Sequence, residues 1–308
     1  MNDSTHARAN YSSFWTSLDE QKQPTYLNSC KHRLSLIIGD GLVAKKPYMI
    51  LIASQKGGVG KTTIALNLAA ALAYKNFQVL LVDTDTESAS LSQQLGIKPE
   101  GTGYLEALGN NAEIKDMLFS YEPLDLYIIP GAPSIERFSP NPDRLVKFYG
   151  KLAHTDFDFV IIDSPPGLFS GDVARYFNDV AILTTPDSVS SAGSERMAKY
   201  CERFRLEHRL IINRMGYSKY ELERAEVERL YGDVAFQAIP EDKIVPESLM
   251  KRKPAYMIDK NAYFSVAIEE LARDYALKVG QAPQDRDQEF ERSTKPTFFE
   301  RLTRWFVK

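Results

Sequence analysis

Cysteine is scarce in this sequence. Its 308 residues include two cysteines, Cys30 and Cys201, which lie far apart and form no C-x-x-C pair. Iron–sulfur clusters and structural zinc sites need clustered cysteine or histidine ligands, and a disulfide framework needs several cysteine pairs. The cysteine content therefore argues against all three, and it fits a protein of the reducing cytosol.

Long hydrophobic runs and an excess of one charge are also missing. No apolar stretch approaches the roughly 20 residues that a transmembrane helix needs. The first ten residues, MNDSTHARAN, have no apolar segment of the kind found in a secretory signal. The net charge is −3 and the pI about 5.9, so the chain as a whole is not a basic nucleic-acid binder, although a local basic patch stays open. We therefore expect a cytoplasmic protein that meets a membrane only from the side.

The sequence does have a regular alternation of short apolar runs and longer helical stretches, from Tyr48 to about Leu277. The predicted strands are Tyr48–Ser54, Phe77–Asp83, Leu124–Pro130, Phe157–Asp163, Val180–Thr185, Arg209–Asn213 and Val234–Ile239. The predicted helices are Lys61–Lys75, Pro142–Ala153, Ser191–Phe204, Lys219–Tyr231 and Ala262–Ala276. Most of the strands are apolar on both faces, which is typical of a parallel sheet covered by helices. The pattern predicts an α/β fold with a doubly wound, mostly parallel sheet flanked by helices, whose ligands bind at the carboxyl ends of the strands.

Segments with a different composition flank this α/β domain. We assign residues 47–278 to the domain, 1–46 to an N-terminal extension, 279–296 to a polar linker and 297–308 to a C-terminal helix. In the extension, the spacing of four apolar residues predicts one face of a helix: Tyr11, Phe14, Trp15 and Leu18. Such a helix either packs on the domain or binds a partner, and the sequence leaves both open.

The stretch SQKGGVGKTT, residues 54–63, follows a predicted strand and opens a predicted helix, which is the context of a phosphate-binding P-loop. Glycines let the backbone wrap around phosphate oxygens, and the N–H groups at the start of the helix form an anion site. Lys61 is placed to reach the β- and γ-phosphates, and the Thr62 hydroxyl to reach Mg²⁺. The residues predicted to bind nucleotide here are Gly57, Gly58, Val59, Gly60, Lys61, Thr62 and Thr63.

KGGVGKTT resembles the deviant Walker A motif of the MinD/ParA family of P-loop ATPases. Gln55 stands where other P-loops have glycine, and in this family glutamine is common there in the partition-protein branch. Lys56 corresponds to the family's signature lysine. The resemblance implies that it reaches into the ATP of a partner, in a homodimer with ATP sandwiched between the protomers. A cation supplied in this way makes dimerisation depend on the γ-phosphate and stabilises charge that develops in phosphoryl transfer. The resemblance therefore implies catalytic roles for both Lys56 and Lys61.

Two further strands end in aspartates that match motifs of the family. LLVDTDTES carries Asp83 and Asp85 in the D-x-D of switch I, although the residues that follow depart from both branches. The resemblance implies that Asp85 orients the attacking water. FVIIDSPPG ends its strand with Asp163, the Walker B position that holds Mg²⁺ through water. The predicted metal site thus consists of Thr62, Asp83 and Asp163. The alternative for Asp83 and Asp85 is a pair of solvated turn residues.

The segment from Asp163 to Met197, DSPPGLFSGDVARYFNDVAILTTPDSVSSAGSERM, resembles the MinD branch more than the partition branch, and its residues 165–167 take the place of switch II. LIINR ends a late strand with Asn213, which by the same resemblance hydrogen-bonds adenine, and Pro240 of IPED flanks the base. The alternative for Asn213 is a plain loop cap. The GTPase motif N-K-x-D is absent after this strand, so we expect ATP with Mg²⁺ rather than GTP.

The last twelve residues, TFFERLTRWFVK, predict a short amphipathic helix. Its apolar stripe consists of Phe298, Phe299, Leu302, Trp305 and Phe306. Four cationic side chains minus one anionic side chain, counted from Lys295 onward, give this end a charge of +3. Aromatic residues opposite arginine and lysine suit an anionic membrane surface, and the segment resembles the membrane-targeting helix of the MinD branch in position and character. The alternative is a terminal helix docked on the protein's own core.

Together these features imply a cytoplasmic ATPase, peripherally associated with the inner face of the cell membrane and slow until a protein activator stimulates it. The first interpretation is a MinD-like protein that positions the cell-division site. The second is a ParA-like chromosome or plasmid partition ATPase acting on DNA, which SQKGGVGKTT favours and the amphipathic tail opposes. The third is a MinD paralogue that positions flagella or other polar machinery, which the N-terminal extension keeps open.

Overall fold

The computed structural model describes residues 46–86, 90–97, 103–110, 112–122, 124–131, 141–217, 221, 226, 229 and 236–280, with the backbone alone at 106, 110 and 188–191. Several predicted segments lie outside these described residues. They are residues 1–45, the linker from 281 onward, the C-terminal helix with its apolar stripe, and most of the helix predicted at Lys219–Tyr231. The predictions for those segments stay predictions.

The described strands and helices follow the predicted order. The strands are β1 (Tyr48–Ala53), β2 (Val79–Asp83), β3 (Phe119–Tyr121), β4 (Leu126–Ile129), β5 (Phe159–Asp163), β6 (Asp179–Thr184), β7 (Glu207–Met215) and β8 (Phe236–Pro240). The helices are α1 (Lys61–Tyr74), α2 (Ser90–Leu95), α3 (Tyr104–Asn110), α4 (Pro142–Leu152), α5 (Gly171–Ala174), α6 (Ser188–Arg203), α7 (Ile244–Lys251), α8 (Ala255–Ile258) and α9 (Tyr263–Lys278), with a 3-10 turn at Ile114–Met117. None of the described helices combines the length and the apolar character that a membrane crossing requires.

Each predicted strand is present, with ends within two residues of the predicted ones. The sequence did not predict β3 or the short helices α2, α3, α5, α7 and α8. These elements have too few residues to show a clear periodic pattern. Their positions are set by packing against the longer elements, which a local pattern does not report.

The strands form one eight-stranded sheet in the order β3-β4-β2-β5-β1-β6-β7-β8. Neighbouring strands are parallel, except that β3 and β4 are antiparallel at one edge. In the register, Asp83 of β2 lies opposite Asp163 of β5, and Ile52 of β1 lies opposite the same Asp163. The predicted doubly wound, mostly parallel fold is therefore confirmed, and the carboxyl ends of β1, β2 and β5 meet at one place.

Apolar clusters cover both faces of the sheet, as the sequence of β1 illustrates. Ile50 contributes to the cluster that holds α1 and α9, and Leu51 contributes to the cluster on the opposite face. Helix α1 is buried at every position from Ile64 to Ala73, because its alanines let it lie close to the sheet and to α9. The start of α1, which carries the phosphate loop, is thereby held against the centre of the sheet.

Helices α3 and α4 pack together in the cluster that contains Leu51. The beginning of α4 is encoded locally: the Asn141 side chain accepts a hydrogen bond from Asp143 N at 2.8 Å, and Pro142 occupies the first turn. An N-cap asparagine followed by proline is a favourable helix start. This fixes the point from which the basic side chains of α4 project.

Candidate nucleotide-binding site

The phosphate loop joins β1 to α1 and depends on glycine at two positions. Gly58 and Gly60 have φ values of +76° and +98°, in the left-handed region that glycine favours. At Gly60 a Cβ atom would also lie 2.5 Å from Asn213 Nδ2. The Gly60 carbonyl accepts a hydrogen bond from Ile64 N at 3.0 Å, which begins the helix. The first N–H groups of α1 are therefore directed at the loop, where phosphate oxygens would meet them.

Lys61 is buried at the start of α1. Its Nζ donates a hydrogen bond to Ser54 Oγ at 3.1 Å, and that hydroxyl donates to the Lys56 carbonyl at 2.7 Å. Burial lowers the pKa of the Lys61 ammonium, while the carboxylates of Asp163 and Asp85 act in the opposite direction. The hydrogen bond to Ser54 holds the side chain at the loop, and an ammonium in this position suits phosphate oxygens.

Asp163 ends β5 and is almost completely buried. Among the residues that the structure describes, none forms a hydrogen bond with either carboxylate oxygen. Burial and the neighbouring Asp83 raise the pKa of Asp163 to about 8, against the opposing effects of the nearby Thr62 hydroxyl and Lys61. A buried carboxylate without partners is unfavourable unless a proton or a cation satisfies it. An Mg²⁺ ion, which prefers oxygen ligands, fits this position between Asp163 and Thr62.

Asp83 ends the neighbouring strand, and its oxygens are engaged by the backbone that follows. Oδ1 accepts from Asp85 N at 3.0 Å and Oδ2 from Leu91 N at 3.3 Å. Burial raises the pKa of Asp83 to about 7, while the hydrogen bonds from these N–H groups lower it. Asp83 therefore shapes the switch I loop, a role that the sequence did not predict. Its role as a metal ligand stays a prediction.

Switch I is tied to β5 through Thr84. Both its backbone N and its hydroxyl donate to the Asp163 carbonyl, at 2.9 and 2.8 Å. The next residue, Asp85, is half-buried, and its charge acts on both Lys61 and Asp163. The structure thus brings the predicted water-orienting aspartate next to the predicted phosphate-binding lysine and metal ligand.

Switch II is joined to the phosphate loop from the other side. Gly167 N donates to the Ser54 carbonyl at 2.8 Å, and the Ser164 hydroxyl donates to the Ile52 carbonyl at 2.8 Å. Between these two anchored residues, Pro165 and Pro166 are exposed. Switch II is thus attached at both ends to the end of β1 and the start of the phosphate loop.

Lys56, the second lysine of the loop, is exposed, in contrast to Lys61. Its carbonyl accepts the Ser54 hydroxyl. The buried lysine and the exposed lysine, only five positions apart in one loop, thus have different surroundings. The exposed position is the one from which a side chain could reach another molecule.

Asn213 lies near the end of β7 and is buried against the phosphate loop. Its Nδ2 donates a hydrogen bond to the Val59 carbonyl at 2.8 Å. Pro240 lies opposite Met215 at the end of the adjacent strand β8. The structure therefore brings both predicted base-contacting residues to the same end of the sheet, and adds a bond between Asn213 and the loop that the sequence did not predict.

Three hydroxyl residues that support the site were missed in the sequence, namely Ser54, Thr84 and Ser164. Ser54 bonds to the backbone of its own loop, whereas Thr84 and Ser164 bond to the backbone of a neighbouring strand, at distances between 2.7 and 2.8 Å. Their common signal is a serine or threonine directly after an apolar strand and beside a motif residue. Such residues bond readily to nearby backbone groups in turns.

The chain resembles proteins of one family over most of its length. The model of the CobQ/CobB/MinD/ParA nucleotide binding domain matches residues 50–255, which include the phosphate loop and both switches. An uncharacterised ATP-binding protein of Methanocaldococcus jannaschii is 28% identical over 262 residues, covering 84% of this chain and 97% of that protein. The septum site-determining protein MinD of Escherichia coli K12 is 27% identical over 273 residues, covering 82% and 98%. The solved structure of MinD from Pyrococcus horikoshii, complexed with Mg-ADP, gives a TM-score of 0.69 at 27% identity, over 76% of this chain and 98% of that one.

Proposed function

Since the chain belongs to the CobQ/CobB/MinD/ParA family of nucleotide-binding domains, we propose that it is a MinD-like ATPase that positions the cell-division site. In this proposal it dimerises with ATP and binds the inner face of the cell membrane through its C-terminal helix. The observation that carries the ATPase assignment is the meeting of Lys61, Asp85 and Asp163 beneath a phosphate loop whose other lysine, Lys56, is exposed.

Binding and hydrolysis are divided among different residues of the chain. The backbone of residues 57–63 and the Lys61 ammonium hold the phosphates. Thr62 and Asp163 hold Mg²⁺, which when bound supplies positive charge to the β- and γ-phosphates. Asp85 orients the attacking water, and its charge acts on Lys61 and Asp163 in the same site. Lys56 of each protomer enters the site of the other and stabilises the charge that develops on the transferred group.

Membrane binding would follow the nucleotide state. Each of the five apolar residues of the tail contributes roughly 1.5–3 kcal/mol when fully buried, and the costs of ordering and association offset much of that sum. A helix of this length is marginal in water, so we expect it to fold on the membrane. One tail holds weakly, whereas two tails on an ATP-bound dimer gain about 10²–10⁴-fold in avidity. The membrane would thus retain the ATP dimer and release the ADP monomer.

A protein activator completes the cycle in this proposal. Loops of this kind hydrolyse ATP slowly alone, so a partner that stimulates the reaction sets the time spent on the membrane. The similarity to MinD proteins of Escherichia coli and Pyrococcus horikoshii supports a division-site role over other roles of the family. Gln55 is the observation that favours the alternative, a ParA-like partition ATPase retained on DNA.

Co-sedimentation with anionic liposomes tests the membrane cycle. The full chain would be spun in Mg-ATP and in Mg-ADP, with duplex DNA in excess as a competitor. The comparison chains are one that ends at Lys295 and one that carries Trp305→Ser and Phe306→Ser, which keeps all the tail charges. We expect pelleting with ATP alone, lost in both comparison chains and insensitive to DNA.

Two results would contradict the proposal. Equal pelleting in Mg-ATP and in Mg-ADP would show that membrane binding does not depend on the ATP-bound dimer. Retention on DNA with ATP, in place of pelleting, would favour the partition alternative.

A further inference from the structure

A cleft of about 270 Å³ lies between α3 and α4. Its floor is apolar and consists of Ala107, Leu108 and Phe148, and its rim carries the cationic residues Arg144, Lys147 and Lys151. No lining residue belongs to the phosphate loop or to either switch. The cleft is therefore a separate site from the one that binds nucleotide.

Two of the rim cations face solvent without a partner in the described part of the chain. Arg144 and Lys147 are exposed, and no ion pair joins either to a described residue. They are three residues apart on α4, so they lie on the same side of the helix, roughly 4.5 Å apart along its axis. Exposed cations over an apolar floor favour a ligand that carries both negative charge and apolar surface.

The third cation, Lys151, is engaged in hydrogen bonds within the protein. Lys151 Nζ donates to the Ala112 carbonyl at 3.1 Å and to Glu113 Oε1 at 2.8 Å. These bonds join α4 to the segment after α3 and set the width of the cleft at that end. The other two cations stay available for a ligand.

The floor of the cleft is already formed without a ligand. Leu108 and Phe148 line the cleft and are only 2% and 3% exposed, so packing against the rest of the protein holds them in place. The Phe148 ring packs edge-on against Tyr104, with centroids 5.2 Å apart. A volume of about 270 Å³ is below the usual range of small-molecule pockets, roughly 300–1,000 Å³. It accommodates one large apolar side chain.

We propose that this cleft is a docking site for an acidic amphipathic segment of a partner protein. One apolar side chain of that segment enters the cleft over Phe148, and two carboxylates on either side of it pair with Arg144 and Lys147. The concave shape and apolar floor favour an inserted side chain over the flat surface of a membrane, and a small free anion would leave the floor uncovered. Charge complementarity sets the specificity of such contacts more than their total affinity.

The cleft is also connected to switch I. Phe148 precedes Tyr149, a buried residue whose ring packs against it with centroids 5.7 Å apart. The Tyr149 hydroxyl interacts with the side chain of Thr84, the residue between Asp83 and Asp85 in the sequence. The proposed docking position is thus next to a side chain that neighbours the loop carrying Asp85. An effect on hydrolysis rests on the proposed function, whereas docking itself does not.

Two fluorescent helical peptides test the docking site by anisotropy with the full chain. One presents leucines flanked by glutamates, and the other has lysine in place of each glutamate. We expect the glutamate peptide to bind more tightly, and to lose about tenfold in affinity when Arg144→Gln and Lys147→Gln remove two partly exposed ion pairs. The control is Arg196→Gln with Lys199→Gln, the same residue types at the same spacing on the exposed side of α6, where Lys199 is paired with Glu195.

Gly109 provides a second test, because it lines the cleft and a Cβ atom there would meet nothing within 4 Å. Gly109→Glu places a carboxylate at the rim and should weaken binding of the glutamate peptide, whereas Gly109→Gln should weaken that binding less.

Equal binding of both peptides, or unchanged binding of the glutamate peptide to the Arg144 and Lys147 variant, would overturn the proposal. So would binding of phosphatidylglycerol vesicles, but not the peptide, through Arg144 and Lys147 in a chain that ends at Lys295. ATP turnover, measured separately, distinguishes failed docking from a failed ATPase assignment.

Discussion

Asn213 Nδ2 donates a hydrogen bond of 2.8 Å to the carbonyl of Val59, and so joins the end of β7 to the phosphate loop across 154 positions of sequence. The same amide lies where a Cβ atom on Gly60 would have to be. The residue expected to contact the base thus also supports the loop expected to hold the phosphates. Loss of the Asn213 side chain should therefore weaken the binding of every nucleotide, whatever its base.

Replacement of Asn213 by alanine should therefore weaken ATP and GTP alike. The Val59 carbonyl loses a buried donor, an effect on the order of 1 kcal/mol or a few-fold to tenfold in dissociation constant. Titration with fluorescent ATP and GTP analogues measures both constants. A loss confined to ATP would instead assign Asn213 to reading the base alone.

Lys61→Ala should abolish nucleotide binding. The variant removes the buried ammonium that Ser54 holds at 3.1 Å, and no other lysine of the loop is buried. Equilibrium binding of ATP and ADP is the measurement, and Lys61→Arg is a variant that keeps the charge but not the fit. Retention of near-normal affinity in Lys61→Ala would show that the backbone of the loop suffices.

Lys56→Ala should keep nucleotide and lose the dimer. Its side chain is exposed, so removal leaves the protomer's own phosphate site intact. Sedimentation velocity with a non-hydrolysable ATP analogue measures the dimer, and stimulated turnover should fall with it. Wild-type dimer levels in this variant would show that the lysine assignment is wrong.

Asp85→Ala should bind Mg-ATP and hydrolyse it slowly. Loss of a group that orients or deprotonates the attacking water costs typically about 10²–10⁴-fold in rate. Asp85→Asn is the matched control, because it removes the charge that acts on Lys61 and Asp163 but keeps the size of the side chain. Single-turnover phosphate release gives the rate directly, and fast release from Asp85→Ala would remove Asp85 from its role.

The paired aspartates predict how stability depends on pH in the absence of metal. The pKa values of Asp83 and Asp163 are raised to about 7 and about 8, above the value of about 3.9 expected in the unfolded chain. As pH rises, the unfolded chain releases these protons first, so the free energy of unfolding should fall from about pH 4 and level off above about pH 8. Mg²⁺ with ADP should raise the free energy of unfolding more at high pH than at low pH, because the cation replaces the proton on Asp163.

Thermal unfolding in EDTA and in Mg-ADP, across this pH range, tests the expectation. Asp163→Asn cannot ionise at this position and should reduce the pH dependence of the metal-free protein, leaving the part that Asp83 contributes. If that variant kept the wild-type slope, the dependence would have to come from other groups.

Local patterns predicted the phosphate loop, the motif aspartates and every long strand. Each of these is encoded by neighbouring residues: apolar runs for β1 and β5, glycines and lysines for residues 54–63, and an acid after a strand for Asp163. The three-residue strand β3 was missed, since its pairing with β4 is a property of two separate segments. The engagement of Asp83 by the N–H groups of Asp85 and Leu91 was missed because it depends on the path of the loop after β2, which no motif or periodic pattern reports.

The sequence by itself thus determined the fold class and the chemical groups of the site, because periodicity and motifs act over a few residues. The tertiary structure alone decided which groups meet. The register that sets Asp83 opposite Asp163 depends on strand order, and the unpartnered state of the Asp163 oxygens depends on burial. The cleft above Phe148 exists because α3 and α4 are held side by side by contacts between segments about 40 positions apart. Long-range packing determines such positions, and no local pattern records it.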